Sequence, residues 1–230
     1  MSFASPPCLA HELAGTADGY AAVDAQTASD VARWRKAERQ RLIAARRAVP
    51  GAERVAVATA VAHALDGLVG DLRDPVVSVY WPFRYELDLI PWMRGLTVRG
   101  IRVALPVVEQ RARPLAFRAW RPGCRMQRGV WNIPVPAEGE SLAPDVVIAP
   151  VVGFDHDCYR LGNGGGYFDR TLAAWSPRPL AIGVGHPRAR IPTIYPQPHD
   201  IPMDVIVTGS DAILHRGRRD AWCSRRETET

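Results

Sequence analysis

Between Tyr159 and Arg170 the chain reads Tyr-Arg-Leu-Gly-Asn-Gly-Gly-Gly-Tyr-Phe-Asp-Arg, with four glycines in five positions. Without Cβ atoms in the way, several backbone N–H groups can converge on the oxygens of a large anion, most readily where a helix begins. Arg160 and Arg170 bracket the run with permanent positive charge, and Asp169 offers a hard carboxylate of the kind that suits Mg²⁺. The chemistry these residue types can perform together is the binding of a polyphosphate. A tight surface turn is the plainer reading, since the run matches neither G-x-x-x-x-G-K-[ST] nor a G-x-G-x-x-G followed by an acidic residue.

Such a loop needs a rigid platform, and the flanking sequence supplies one. An apolar run from Val146 to Phe154 reads as a buried strand before the loop, and Thr171 to Trp175 can open a helix after it. Further apolar runs at 76–80, 101–108, 180–185 and 203–208 read as strands, with a hairpin-like segment at 114–120. Helical periodicity begins at Ser29 or Asp30, either of which can cap it, places Val31, Trp34, Leu42 and Ala45 near one face, and stops at Pro50-Gly51. A second amphipathic helix covers 52–69 through Val57, Val61, Leu65 and Leu68, and a shorter one covers 90–96. Strands separated by helices predict an α/β class: a layered, mainly parallel sheet flanked by helices, with ligands beyond the carboxyl ends of the strands.

Composition narrows the partners. With 230 residues the chain can fill one core, and residues 28–215 are expected to form a single domain between an extension at 1–27 and a basic tail at 216–230. The formal charge of +5 favours anionic ligands, a nucleotide or a polyglutamate as well as nucleic acid, but no aromatic-rich basic motif of an RNA-binding module is present. Four dispersed cysteines without a C-x-x-C pair suit a reducing, cytoplasmic setting, and neither an apolar span nor a leader is legible. No nucleic-acid or membrane partner is therefore expected, and oligomeric state is not legible. Cys8, His11 and Glu12 could contribute metal ligands, although no second cluster completes the set.

The run from Arg160 to Arg170 resembles the signature of the 5-formyltetrahydrofolate cyclo-ligases, the methenyltetrahydrofolate synthetases, and the likeness extends over roughly residues 30 to 213. It implies a cyclo-ligase fold of the NagB/RpiA/CoA-transferase-like kind and an enzyme that uses ATP and Mg²⁺ to close 5-formyltetrahydrofolate to 5,10-methenyltetrahydrofolate, releasing ADP and phosphate. Carried onto this sequence, the resemblance assigns phosphate contacts to Lys36 and Arg39 on the first helix, with Arg35 as the alternative register, and to Arg160, Gly162, Gly164, Gly165 and Gly166. Lys36 is singled out as the only lysine. Asp169 is the expected metal ligand, and Tyr167 stands at the boundary of nucleotide and folate. Lys36, Arg160 and Asp169 are the residues expected to act on the transferred phosphoryl group.

Glu86 and Trp131 are the expected folate contacts. Glu86 can accept two N–H bonds from a pterin edge, or serve as a helix-dipole partner; Trp131 can stack on a substrate ring, or fill the core. Asp200 and Asp204 can assist metal or nucleotide binding, with the capping of a turn as their simpler role. The segment from Gly183 to Ala189 lacks the glutamine usual after the late strand of the family. It leaves open a paralogue that binds ATP but acts on another one-carbon or thiamin-related substrate, or a non-catalytic nucleotide or folate sensor.

Overall fold

Strands covered on both faces must be apolar at nearly every position, and the apolar runs of the sequence become the centre of one sheet in the computed structural model. It describes residues 13–16, 19–22, 25–70, 72–209 and 213–217. In chain order the elements are β1 (Leu13–Thr16), β2 (Gly19–Ala22), α1 (Ala25–Arg47), α2 (Gly51–Val69), β3 (Val76–Ser78), α3 (Ile90–Val98), β4 (Arg102–Val107), β5 (Ala116–Trp120), β6 (Met126–Arg128), β7 (Pro134–Pro136), β8 (Val146–Pro150), β9 (Gly153–Phe154), β10 (Arg160–Leu161), α4 (Tyr167–Ala174), β11 (Leu180–Val184), β12 (Val205–Val207) and β13 (Leu214–His215).

The main sheet has the order β13-β12-β11-β8-β3-β4-β5. Its five central strands are parallel, and an antiparallel strand closes each edge. From β3 the chain proceeds outward to β4, whereas β8, β11 and β12 proceed the other way. The strand order therefore reverses between β3 and β8, where a crevice opens at the carboxyl ends.

Alternation along the strands sorts the core into two layers. Val77, Val103, Leu105, Val146, Ile148, Ile182 and Val205 face α2 and α3 through Val61, Leu65, Met93 and Leu96. On the other face, Ala149, Ala181 and Ile206 pack with Leu172 of α4, and Val76, Ala104 and Val147 pack with Leu115 and Phe117. Burying one such aliphatic side chain is worth about 1.5–3 kcal/mol.

Helix α1 joins neither layer. Its Leu42 packs with Val152, Leu161, Ile191 and Ile194 around the antiparallel β9–β10 pair. The approach is close, since a Cβ on Gly153 would lie 2.6 Å from the Leu42 side chain. Thus α1 is fixed to the hairpin that leads into the glycine run.

Several boundaries differ from those expected. Helix α1 starts at Ala25, four or five residues before the expected caps, and Asp30 is a buried residue inside it that accepts from Gln26 Nε2 at 3.1 Å. Its inward stripe is partly polar, with Thr27, Asp30, Arg35 and Glu38 beside Val31 and Leu42, while Ala45 is exposed. Apolar spacing alone could not reveal that phase. The strand expected to continue to Phe154 leaves the main sheet after Pro150, because Val152 N turns to donate to the Leu161 carbonyl. Helix α4 begins at Tyr167, directly after the glycines, instead of at Thr171. Residues 13–22, which show no strand period in the sequence, carry the paired strands β1 and β2. The metal-ligand idea at Cys8 to Glu12 and the tail beyond Gly217 lie outside the described residues. Among the described residues no helix is long and apolar enough to cross a membrane.

Candidate active site

A cavity of about 220 Å³ occupies the crevice at the strand-order reversal. Residues at or beyond the carboxyl ends of β3, β4 and β8, namely Tyr80, Trp81, Leu105, Pro106 and Pro150, form its floor, and residues 162–169 form one wall. The site has two chemically different ends.

At one end stand the guanidinium groups of Arg35, Arg39 and Arg160 with the carboxylates of Asp169 and Asp200. Arg35 meets Asp200 in a buried two-pronged ion pair, Nη1 to Oδ2 at 3.0 Å and Nη2 to Oδ1 at 2.9 Å. Asp200 also accepts from the backbone N–H of Gln197 at 2.6 Å, so the expected turn-capping role and a place in the site coincide in one residue. Arg39 Nε donates to the Gly162 carbonyl at 2.9 Å, which ties α1 to the loop. Burial pushes the Arg39 pKa below the usual arginine value and the neighbouring Arg35 charge adds to this, while Asp200 and Asp169 oppose it. Arg160, nearly inaccessible, donates from Nη2 to Asp169 Oδ2 at 3.0 Å, and Asp169 Oδ1 accepts from Ile201 N at 3.3 Å. Three fixed cations against two carboxylates leave this end positive.

The loop between them is shaped by its glycines. Gly164 has φ +97°, a conformation that side chains disfavour, and a Cβ at Gly165 would stand 2.8 Å from the rings of Trp131 and Tyr167. Gly166 caps α4, so the first-turn amides of that helix and its acidic Asp169 face the same region.

The other end is aromatic. Trp131 is 46% exposed, its ring nearly parallel to Phe83 with centroids 6.3 Å apart, and Tyr167 meets it edge-on at 6.1 Å. Core filling is thus excluded for Trp131. Behind these rings, buried Glu86 accepts from Phe83 N at 3.0 Å and from Asn163 Nδ2 at 3.0 Å. Burial raises the Glu86 pKa to about 6, with the opposing charge of Arg46 and the two hydrogen bonds holding it from rising further. Asn163 Oδ1 is buried without a partner, an acceptor open to a ligand N–H.

The structure brings together Arg39, Glu86, Trp131, Arg160, Gly162, Gly164, Gly165, Gly166, Tyr167 and Asp169. It does not bring Lys36 to them. Lys36 is exposed and absent from the cavity wall, whereas Arg35 is buried in it. Both neighbours lie near the face of Arg39, Arg35 as its i, i+4 partner and Lys36 as its i, i+3 partner on the opposite side, and burial decides between them: α1 turns its Arg35 side to the cavity and its Lys36 side to solvent. Asp204 lies away from the cavity, accepting from Ala181 N at 2.9 Å. Sequence reasoning missed Phe83 and Asn163. Phe83 follows Pro82 in an aromatic loop, which is a usable signal, but its stacking on a residue 48 positions later is not.

Among the described residues no three His, Cys, Asp or Glu side chains gather as a metal cage. The donors that are present, the Asp169 carboxylate above all, suit an ion held by one or two carboxylates and by phosphate oxygens.

The family model for the 5-formyltetrahydrofolate cyclo-ligase family matches residues 31–209. The chain is 32% identical to the 5-formyltetrahydrofolate cyclo-ligase of Mycolicibacterium smegmatis over 185 residues, covering 76% of this chain and 94% of that one. To the Escherichia coli protein of the same name it is 33% identical over 141 residues, or 58% and 78% of the two chains. Its fold superposes on the 5,10-methenyltetrahydrofolate synthetase of Aquifex aeolicus with a TM-score of 0.69 at 27% identity, covering 81% and 95% of the chains. The Mycoplasma pneumoniae protein of that name shares the fold, with a TM-score of 0.63 at 21% identity over 76% and 99%. The residues that wall this cavity, from Arg35 to Asp200, lie wholly within the matched span; the chain belongs to the 5-formyltetrahydrofolate cyclo-ligase family and is a ligase.

Proposed function

We propose that the chain converts 5-formyltetrahydrofolate to 5,10-methenyltetrahydrofolate at the expense of ATP, with ADP and phosphate as the other products. The observation that carries this reading is the two-ended cavity: a cluster of net positive charge with a glycine loop at one end, and stacked aromatic rings with a carboxylate at the other. A polyphosphate supplies the negative charge that balances the excess positive charge left by Arg35, Arg39 and Arg160 against Asp200 and Asp169. A reduced pterin supplies the N–H groups that Glu86 and Asn163 Oδ1 can accept.

The chemistry requires activation of a poor leaving group. The formyl oxygen takes the γ-phosphoryl group and ADP departs; the N10 nitrogen then attacks the formyl carbon, loses its proton, and phosphate leaves with the former formyl oxygen. Positioning and charge neutralisation do most of this work. Arg35 and Arg39, locked by Asp200 and Gly162, orient the phosphates, and Arg160, held by Asp169, faces the transferred group. Asp169 is the residue that would hold Mg²⁺ with the phosphate oxygens, and the ion would supply further neutralisation there. Trp131 and Tyr167 keep the folate ring beside the loop and exclude water from it.

The test is the appearance of methenyltetrahydrofolate absorbance from 5-formyltetrahydrofolate with and without Mg-ATP. Product that depends on both partners is expected; a folded protein that yields none at high enzyme concentration would contradict the reading.

A further inference from the structure

The two arginines that flank the glycine run do different work. Arg160 lines the cavity, whereas Arg170, the fourth residue of α4, is absent from its wall. The Arg170 guanidinium folds back over the loop instead. Its Nη2 donates to the Gly165 carbonyl, its carbon lies 5.2 Å from the centre of the Tyr167 ring, and a Cβ on Gly166 would stand 2.9 Å from its Nη1. Arg35 and Arg160 each meet a carboxylate, but no carboxylate pairs with Arg170 among the described residues, and its Nε is buried without a partner. A buried donor left unmade is costly, so packing alone does not account for holding this side chain against the loop.

The geometry of the peptide bond shows what the grip achieves. A trans peptide is planar, and its C=O points opposite to the N–H of the following residue. With the Gly165 oxygen drawn toward Arg170, the Gly166 N–H points the other way, toward the cavity that Gly166 lines. Glycine on both sides leaves this peptide free to turn over, because glycine accepts either sign of φ. A turned peptide would set a carbonyl oxygen before an anion that needs donors. Among the described residues the N–H groups of Gly164 to Asp169 have no backbone acceptor, and the first bond of α4 runs from Arg170 N to the Gly166 carbonyl at 3.1 Å. The loop thus holds a row of unspent amides whose direction must be fixed from outside.

We propose that Arg170 is a positioning residue that locks the Gly165–Gly166 peptide with its N–H toward the cavity, so that the loop offers a polyphosphate a donor and not an acceptor; this rests on the polyphosphate reading above. Arg170 acts through the backbone and touches neither substrate. Lysine cannot replace it, because an ammonium group lacks the planar fork that reaches the Gly165 oxygen while stacking on Tyr167.

Titration with inorganic tripolyphosphate, followed by calorimetry and by the amide resonance of Gly166, tests the lock. In the wild type the anion binds and moves the Gly166 amide proton downfield, as a hydrogen bond to phosphate does. In Arg170→Met the affinity falls about ten-fold, the scale of one lost hydrogen bond to a charged acceptor, and the resonance no longer responds. Arg170→Lys keeps the charge and loses as much affinity. A crystal structure of ligand-free Arg170→Met shows the Gly165–Gly166 peptide turned, with its carbonyl toward the cavity. Undiminished affinity in Arg170→Met, full affinity in Arg170→Lys, or a peptide that keeps its orientation without the guanidinium would overturn the inference. If the wild type binds neither tripolyphosphate nor Mg-ATP, the polyphosphate reading fails, and the orientation of the peptide in Arg170→Met alone judges the lock.

Discussion

The two ends of the cavity are built in opposite ways. At the cationic end every charged group is buried or half-buried and cross-linked, Arg35 to Asp200, Arg39 to Gly162 and Arg160 to Asp169, with both anchoring elements packed on each other through Leu42 and Gly153. At the aromatic end Trp131 is half-exposed, and Arg84, Tyr85, Trp131 and Asn132 all adopt positive φ values on loops. Preorganised charge costs no rearrangement when phosphate charge develops, whereas a loop-borne aromatic wall can adapt to a large ring system entering from solvent. Under the proposed reaction, the difference gives ATP binding and phosphoryl transfer to one end and folate affinity to the other.

The sharpest way to break that division is Arg39→Ala. Removing one preorganised donor should lower kcat/KM for ATP by about 100-fold or more, shared between kcat and the KM for ATP and not the KM for folate, with the fold intact by circular dichroism. A loss confined to the KM for folate would reverse the roles of the two ends. Trp131→Ala should act oppositely, raising the KM for 5-formyltetrahydrofolate by about 5- to 10-fold with little change in kcat.

Glu86 sharpens the comparison through pH. Its pKa of about 6 lies above the ordinary 4.5, so burial favours the protonated form. The stability it contributes is complete below about pH 4.5 and is lost as pH rises through about 6, a change of about 2 kcal/mol. Ligand binding has the reverse sign, because only the carboxylate accepts two N–H bonds. The folate KM should therefore rise as pH falls through about 6, and Glu86→Gln should flatten both the KM profile and the pH-dependent difference in urea stability. A profile unchanged by the substitution would remove Glu86 from the folate end. The smallest effect belongs to Lys36→Ala, which should leave kcat and both KM values within about two-fold, since surface charges far from partners contribute little.

The contrast also explains what could be read from the chain. The glycine loop was legible because its function depends on backbone and on contiguous residues, so Arg160, the glycines and Asp169 could be named together. The first helix was legible as a helix and misread in phase. Its inward stripe contains Asp30, Arg35 and Glu38, so hydrophobic spacing did not mark the buried side, and chemical rarity favoured Lys36 over its neighbour. Distant pairings left no trace in the sequence: Glu86 with Asn163, Phe83 with Trp131, and Arg35 with Asp200 each join segments that only the fold brings together.

The most direct test of the division is the calorimetric affinity of Mg-ATP for Arg39→Ala and Trp131→Ala in the absence of folate. The account predicts at least about a ten-fold loss in the first, on the scale of a lost charge-assisted contact, and an affinity within about two-fold of the wild type in the second. Unchanged ATP binding in Arg39→Ala, or an equal loss in Trp131→Ala, would contradict it.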